Sequence, residues 1–310
     1  MNSEFYDLII VGGGAAGLTA GLYGVRAKLK TILLEKLPLT GGQIVYSEKV
    51  ENYPGFPEGI TGSELTLLME TQARNFGLEL KTAEVINLKD EGEIKRILSN
   101  EGEYLSRTVI IATGASPRRL GVEGEDRLIG KGISFCATCD GFFFKDQEVM
   151  VVGGGDTALV EALHLTRHAK KVYIVHRRNA LRATKVFQER AFKNDKIEFI
   201  WDTIVEKISG ESSVEKVTLK NIKTGETWEK KISGLFIFVG IQPNTQFLSG
   251  MVALDEQGFI ITNENLETSV PGIFAAGDVR KKLLRQLSTA VGDGATAAFA
   301  AEKYLERFIS

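Results

Sequence analysis

Cys136 and Cys139 are the only two cysteines in a chain of 310 residues, and they lie three positions apart in Cys136-Ala137-Thr138-Cys139-Asp140. At that spacing their sulfurs can close a disulfide or work as a reversible dithiol. In a reducing compartment a close pair is more often catalytic or metal-binding than a structural staple. A structural zinc asks for four protein ligands. The residues left to complete such a set, His164, His168 and His176, fall in other predicted elements, so no metal site is expected.

A second kind of chemistry is written in two glycine turns. Gly12-Gly13-Gly14-Ala15-Ala16-Gly17 follows the apolar run Tyr6 to Val11. It opens a helical pattern through Leu18, Leu22, Val25 and Arg26, and Thr31 to Leu34 then reads as a buried strand ending in Glu35. Strand, glycine turn, helix, strand and acid together form the dinucleotide fingerprint. The glycines let backbone approach a pyrophosphate at the helix N-terminus, and the acid about 20 residues on accepts from ribose hydroxyls.

The pattern recurs after Val149 to Val152, in Gly153-Gly154-Gly155-Asp156-Thr157-Ala158, with a helix over about 156–167 and a strand at Val172 to Val175. Where the first unit placed Glu35, the second places His176-Arg177-Arg178, with Arg182 close behind. A carboxylate accepts from a 2′-hydroxyl and repels a 2′-phosphate, whereas guanidinium groups grip that phosphate. The chain is therefore expected to bind two different nucleotides, the second being NADP(H). The competing reading of the arginines is a solvated basic face.

The elements that must position these groups read as an α/β protein of about two domains. Thr61-Gly62-Ser63 introduces a helix to about Phe76. Residues 78–105 alternate apolar and polar as an antiparallel meander, with turns at Asp90-Glu91-Gly92 and Asn100-Glu101-Gly102. Val109 to Ile111 then runs into Ala112-Thr113-Gly114. Residues 240–244 resemble a linker, and Ile273 to Ala276 is a buried strand ending in Gly277-Asp278. A C-terminal helix from Ser288 to Phe308 carries small residues on one side, Ala290, Gly294, Ala297 and Ala298. With 43% hydrophobic residues the chain can fill real cores. A net charge of −2 and the lack of a basic run argue against nucleic acid. No apolar run approaches the ~18 residues of a spanning helix and no basic leader precedes the first strand, so a cytoplasmic protein without membrane association is expected.

Taken in order, these motifs resemble the low-molecular-weight thioredoxin reductases, flavoprotein disulfide reductases with two dinucleotide domains. The resemblance covers essentially the whole chain, and Cys-Ala-Thr-Cys-Asp-Gly is its most diagnostic string. It implies two Rossmann-like three-layer domains. The FAD domain would be residues 1–116 and 245–310, and the NADPH domain, 117–244, would be inserted into it and carry the dithiol. FAD contacts are implied for Gly12, Gly14, Ala16, Gly17, Glu35, Gly42, Gln43, Asn52, Ala112, Gly114, Gly277, Asp278, Arg285, Gln286 and Leu287. NADPH contacts are implied for Gly153, Gly155, Asp156, Thr157, His176, Arg177, Arg178 and Arg182.

The resemblance also implies that Cys139 faces the flavin, that Cys136 attacks the partner's disulfide, and that Asp140 is the acid–base residue. Asp140-Gly141 alone would read as a turn dipeptide. One departure is Val160 before Glu161, where relatives often show two acids; only local changes are expected from it. The implied partner is thioredoxin or a thioredoxin-like dithiol protein, and the implied assembly a homodimer. A reductase of another small dithiol protein, or a non-catalytic flavin-dithiol redox sensor, stays open at this point.

Overall fold

The computed structural model of the protein describes residues 4–47, 49–248 and 250–308. The chain forms two compact units, Met1–Ser116 with Gln242–Ser310, and Pro117–Ile241.

The first unit begins with β1 (Glu4–Val11), α1 (Ala15–Arg26) and β2 (Thr31–Glu35), followed by α2 (Gly62–Asn75) and β3 (Glu79–Thr82). The Thr61 hydroxyl caps α2 by accepting from the Glu64 N–H at 3.2 Å, which satisfies one of the donors a helix start leaves over. β4 (Val85–Glu91), β5 (Ile94–Ser99) and β6 (Gly102–Ile111) complete a sheet ordered β3-β2-β1-β6-β5-β4. The meander expected over 78–105 is only partly present. β4, β5 and β6 are antiparallel, but β3 runs parallel to β2 with Thr82 opposite Glu35. α2 carries the chain back to the other end of the sheet, and a parallel pairing needs such a crossover. The last half of β6 also pairs with Ile273–Ala275, Ile273 lying opposite Val109.

Both faces of this sheet are covered. Ile9, Val11, Ile32, Leu34, Val109 and Ile111 enter one core, while Leu8, Ile10, Leu33 and Ile110 enter the other. Two-sided burial is why these strands are continuously apolar rather than alternating. The C-terminal helix Leu287–Leu305 lies on α1. Its small-residue side is a backbone contact, since a Cβ on Gly294 would stand 2.2 Å from the Ala16 carbonyl oxygen.

The second unit holds a parallel sheet of five strands in the order Ile197–Ile200, Lys171–Val175, Glu148–Gly153, Gly234–Phe238, Ile133–Ser134. An antiparallel sheet of Thr203–Ser209, Lys216–Asn221 and Thr227–Lys231 covers part of one face. The helix Asp156–Leu165 packs Ala158, Leu159 and Ala162 on the other, against Val149 and Val151. Residues 240–244, which resemble a linker in sequence, include the division between the two units and contain a three-residue strand, Ile241–Pro243.

Candidate active site

In the first unit the glycine turn closes tightly. Gly12 has φ +106°, and a Cβ there would meet the Ala112 carbonyl oxygen at 2.5 Å, while one on Gly17 would fall 1.9 Å from the Gly12 carbonyl oxygen. Glu35, buried at the end of β2, accepts from the Gly13 N–H at 2.6 Å and from the Leu37 N–H at 2.9 Å. It therefore pins the turn as well as offering an acceptor, and its oxygens keep further lone pairs for a ribose. Gly41 donates to the Gly13 carbonyl at 2.8 Å, bringing Gly42 beside Gly14. The Gln43 amide donates to the Ala115 carbonyl. Gly114, with φ +68°, and Gly14 face open space.

The far end of the cradle comes from the C-terminal third of the chain. Asn52 Nδ2 donates to Gln286 Oε1 at 3.1 Å, joining positions 234 residues apart. Leu287 packs with Val50, Ile60 and Leu65 beneath them. Asp278 follows Gly277 (φ +79°); its Oδ1 is buried and has no hydrogen-bond partner among the described residues. Burial pushes the Asp278 carboxyl above its ordinary range, against the pull of Lys282 and Arg285. An unmatched buried carboxylate oxygen carries a full desolvation penalty, and a ligand hydroxyl donating there would relieve it. Arg285 lies over the Phe259 ring at 4.0 Å, with Nε 3.4 Å from the Asp278 carbonyl. These groups fit a flavin dinucleotide with its adenosine at the Gly12 turn and a polyol near Asp278.

In the second unit Gly153 is held by the Phe238 carbonyl, 2.6 Å from where its Cβ would be. Gly155 is open and begins the helix at Asp156 and Thr157. A Cβ on Gly154 would strike the His176 ring at 2.4 Å. That histidine is buried and its Nε2 lacks a partner among the described residues. Burial, reinforced by Arg178, Arg182 and Arg177 and opposed by a hydrogen bond to the Ala180 backbone, holds its pKa below the ordinary value. A neutral ring with a free nitrogen suits a nucleotide edge.

Arg182 is placed by its N–H, which donates to the Gly154 carbonyl at 2.8 Å. Arg177, Arg178 and Arg182 are exposed. The arginine ion pairs among the described residues involve Arg74, Arg96 and Arg280, none of these three. Cations left without carboxylates beside a glycine turn fit a phosphate ligand. Asp156 is committed locally, accepting from the Thr184 hydroxyl at 2.9 Å.

Cys136 and Cys139 are joined as a disulfide with Cα atoms 5.3 Å apart, on the short turn Ala137–Asp140. Both are half-buried. Cys136 is extended, with φ −149° and ψ 101°, and its Sγ accepts from the Cys139 N–H at 3.2 Å. Such a bond favours the thiolate when the pair is reduced.

Sequence reasoning missed two residues here. Glu161 Oε2 accepts from the Ala137 and Thr138 N–H groups at 2.8 and 3.2 Å, holding the dithiol turn to the nucleotide helix; the exposed Val160 beside it leaves this clamp intact. Ser134, buried two residues before Cys136, lies 2.6 Å from Asp140 Oδ2. Asp293 was missed too. It accepts from the Gly277 N–H at 3.0 Å and is gripped by Arg280 and Lys282, so it fixes the turn that presents Asp278.

The chain is similar to known proteins over nearly all of its length. It is 50% identical over 307 residues to a thioredoxin reductase of Peptoclostridium acidaminophilum, covering 97% of each chain. It is 47% identical over 304 residues to that of Bacillus subtilis, covering 98% of this chain and 96% of the relative. The crystal structure of thioredoxin reductase from Streptococcus pyogenes superposes with a TM-score of 0.93 at 46% identity, over 98% of this chain and 99% of that one. Residues 6–294 match the family model described as pyridine nucleotide-disulphide oxidoreductase. Two glycine turns of opposite ribose chemistry and a single cysteine pair are thus accounted for together: the chain belongs to the pyridine nucleotide-disulphide oxidoreductase family.

Proposed function

We propose that this chain is an NADPH-dependent thioredoxin reductase. FAD would be held by the unit of residues 1–116 and 242–310, and NADPH by the inserted unit of residues 117–241. The observation that carries the reading is the Cys136–Cys139 disulfide, set two residues after a buried serine bonded to Asp140, in a chain with no other cysteine.

FAD, when bound, supplies the two-electron acceptor that lets a hydride donor reduce a disulfide. The protein's own part is to hold and orient. Glu35 and the Gly12 turn receive one nucleotide, Asp278 accepts from its polyol, and Arg177, Arg178 and Arg182 bind the 2′-phosphate of the other. Once the pair is a dithiol, the Cys136 thiolate attacks a sulfur of thioredoxin's disulfide and the displaced thiolate takes up a proton. Cys139 then attacks Cys136 of the mixed disulfide, closing the internal bond and releasing reduced thioredoxin. Asp140 moves the protons that these thiolates gain and lose.

The test follows flavin absorbance in a stopped-flow instrument. NADPH should bleach the holoenzyme, and oxidised thioredoxin should restore the colour. Bleaching without recovery would reject thioredoxin as acceptor and leave another small dithiol protein; failure to turn over at all would leave a sensor. In the same assay, replacing Arg177 and Arg178 together with Ala should raise the KM for NADPH by on the order of 10²–10⁴-fold, taking charge-assisted bonds at roughly 1.5–3 kcal/mol each. NADH should change by less than about threefold, and equal losses would remove the phosphate assignment.

The reading includes a homodimer in the cytoplasm. In its support, Leu67 and Leu68 of α2 are exposed together, as is Leu39, whose neighbour Thr40 is bonded to Glu70 at 2.6 Å. Among the described residues no helix is long and apolar enough to cross a membrane. Sedimentation at micromolar concentration giving a mass near 34 kDa, rather than twice that, would refute the dimer.

A further inference from the structure

Ser134 is buried at the end of its strand, and its hydroxyl meets three groups of the dithiol turn. The Cys136 N–H donates to Oγ at 3.0 Å. Oγ lies 2.6 Å from Asp140 Oδ2 and 3.2 Å from the Cys136 carbonyl oxygen. A hydroxyl has one proton to give and two lone pairs to receive with. The Cys136 N–H occupies one lone pair, so the proton has two possible destinations, the Asp140 carboxylate or the Cys136 carbonyl.

Resting on the thioredoxin reductase reading, we propose that Ser134 is the positioning residue for Asp140, holding that side chain at the dithiol in both of its protonation states. When Asp140 is ionised, Ser134 Oγ–H donates to Oδ2. When Asp140 is protonated, its O–H donates to the second lone pair of Oγ, and the serine proton turns to the Cys136 carbonyl. The Cys136 N–H bond is kept throughout. The carboxyl therefore stays at one place while its proton comes and goes.

That is what an acid–base group needs in this reaction. Each turnover oxidises the Cys136/Cys139 dithiol to a disulfide and reduces one disulfide of the protein substrate to a dithiol. Two electrons and two protons cross, and every proton leaves one sulfur and reaches another. A carboxyl with a donor only, or an acceptor only, would be held in one state and released in the other. Alanine at 134 supplies neither.

The experiment uses holoenzyme with NADPH and oxidised thioredoxin, and the variants Ser134→Ala, Ser134→Thr, Asp140→Asn and Ser134→Ala/Asp140→Asn. Ser134→Ala should lower thioredoxin-linked kcat at least about tenfold, within the range of acid–base contributions. NADPH bleaching of the flavin should stay within about twofold. Of the two bonds lost, donation to the ionised carboxylate is charge-assisted and the stronger, so its loss outweighs that of the neutral bond and the limb of the pH profile that Asp140 controls should move to higher pH. Ser134→Thr keeps the hydroxyl and should recover most of the rate and the position of the limb. In the Asp140→Asn background the alanine change should cost less than about twofold.

A lower kcat with an unmoved limb, or a full tenfold loss on top of Asp140→Asn, would overturn the positioning role and leave a structural one. If Asp140→Asn alone left the rate intact, the acid–base reading of Asp140 would fall, and the role of Ser134 with it. If Asp140→Asn were slow and Ser134→Ala were not, only the serine proposal would fail. Should Ser134→Ala not fold, the threonine variant decides, since full recovery of fold with loss of rate and a shifted limb would contradict a role for the hydroxyl.

Discussion

Cys136→Ser should abolish thioredoxin reduction while NADPH still bleaches the flavin at close to the wild-type rate. The two halves of the reaction make different demands. Hydride transfer to the flavin needs the two nucleotide cradles, and the variant leaves both untouched. Thioredoxin reduction needs a thiolate at position 136, where the Cys139 N–H at 3.2 Å favours the charged sulfur. A serine hydroxyl at neutral pH offers almost no anion and forms no bond that a second sulfur could displace. Thioredoxin-linked turnover should therefore fall by more than about 10³-fold, with single-turnover bleaching changed less than about threefold. Comparable losses in both measurements would show that the sulfur also supports hydride transfer, and the assignment of Cys136 as the attacking group would have to be withdrawn.

The second large effect is expected at Gly17, with Gly14 as its control. A Cβ on Gly17 would overlap the Gly12 carbonyl oxygen at 1.9 Å, and a backbone atom cannot swing aside as a side chain can. Gly17→Ala must push α1 off the turn, and overpacking of this kind costs typically 1–3 kcal/mol or more. FAD affinity should drop at least about 100-fold, and the apoprotein should melt at a lower temperature. Gly14 differs, because a Cβ there meets nothing and its φ of −72° suits alanine. Gly14→Ala should leave the melting temperature of the apoprotein within about 2 °C and yet weaken FAD, because the added methyl enters space reserved for the ligand. Calorimetry on the apoproteins and FAD titration separate the two. Unaltered FAD binding in Gly14→Ala would mean that the pyrophosphate does not approach this turn.

Much of this was legible in sequence because it depends on local spacing. A glycine turn between a buried strand and a helix carries its neighbours with it, so the runs ending at Val11 and Val152 located both cradles. The contrast of Glu35 with His176-Arg177-Arg178 needed only the count of residues from each turn. The long-range pairings were hidden. Nothing near Asn52 announces Gln286, and nothing near Glu79 announces that this strand runs alongside β2 instead of joining the meander that follows. Glu161 was passed over for a related reason. An acid on a helix ordinarily reads as a solvated face, and only the fold reveals that two N–H groups from a turn more than 20 residues earlier end on it. Ser134 is closest to having been readable, two positions from a motif already singled out; a strand ending in serine carries too little pattern to assign it a partner.

The contact of α1 with the C-terminal helix has a consequence for how the molecule is made. The inserted unit is one uninterrupted stretch, Pro117–Ile241, and can close as soon as it has left the ribosome. The first unit cannot. The last half of β6 pairs with β1 but lacks its other neighbour until Ile273–Ala275 has been synthesised, and α1 has no cover over Ala16 until Gly294 arrives. At translation rates of about 5–20 residues per second, the stretch between Ile111 and Leu287 takes on the order of 10 to 35 s. For that interval the apolar side chains that Ile273–Ala275 and the C-terminal helix cover lack those native partners, the period in which a holding chaperone would have most to protect.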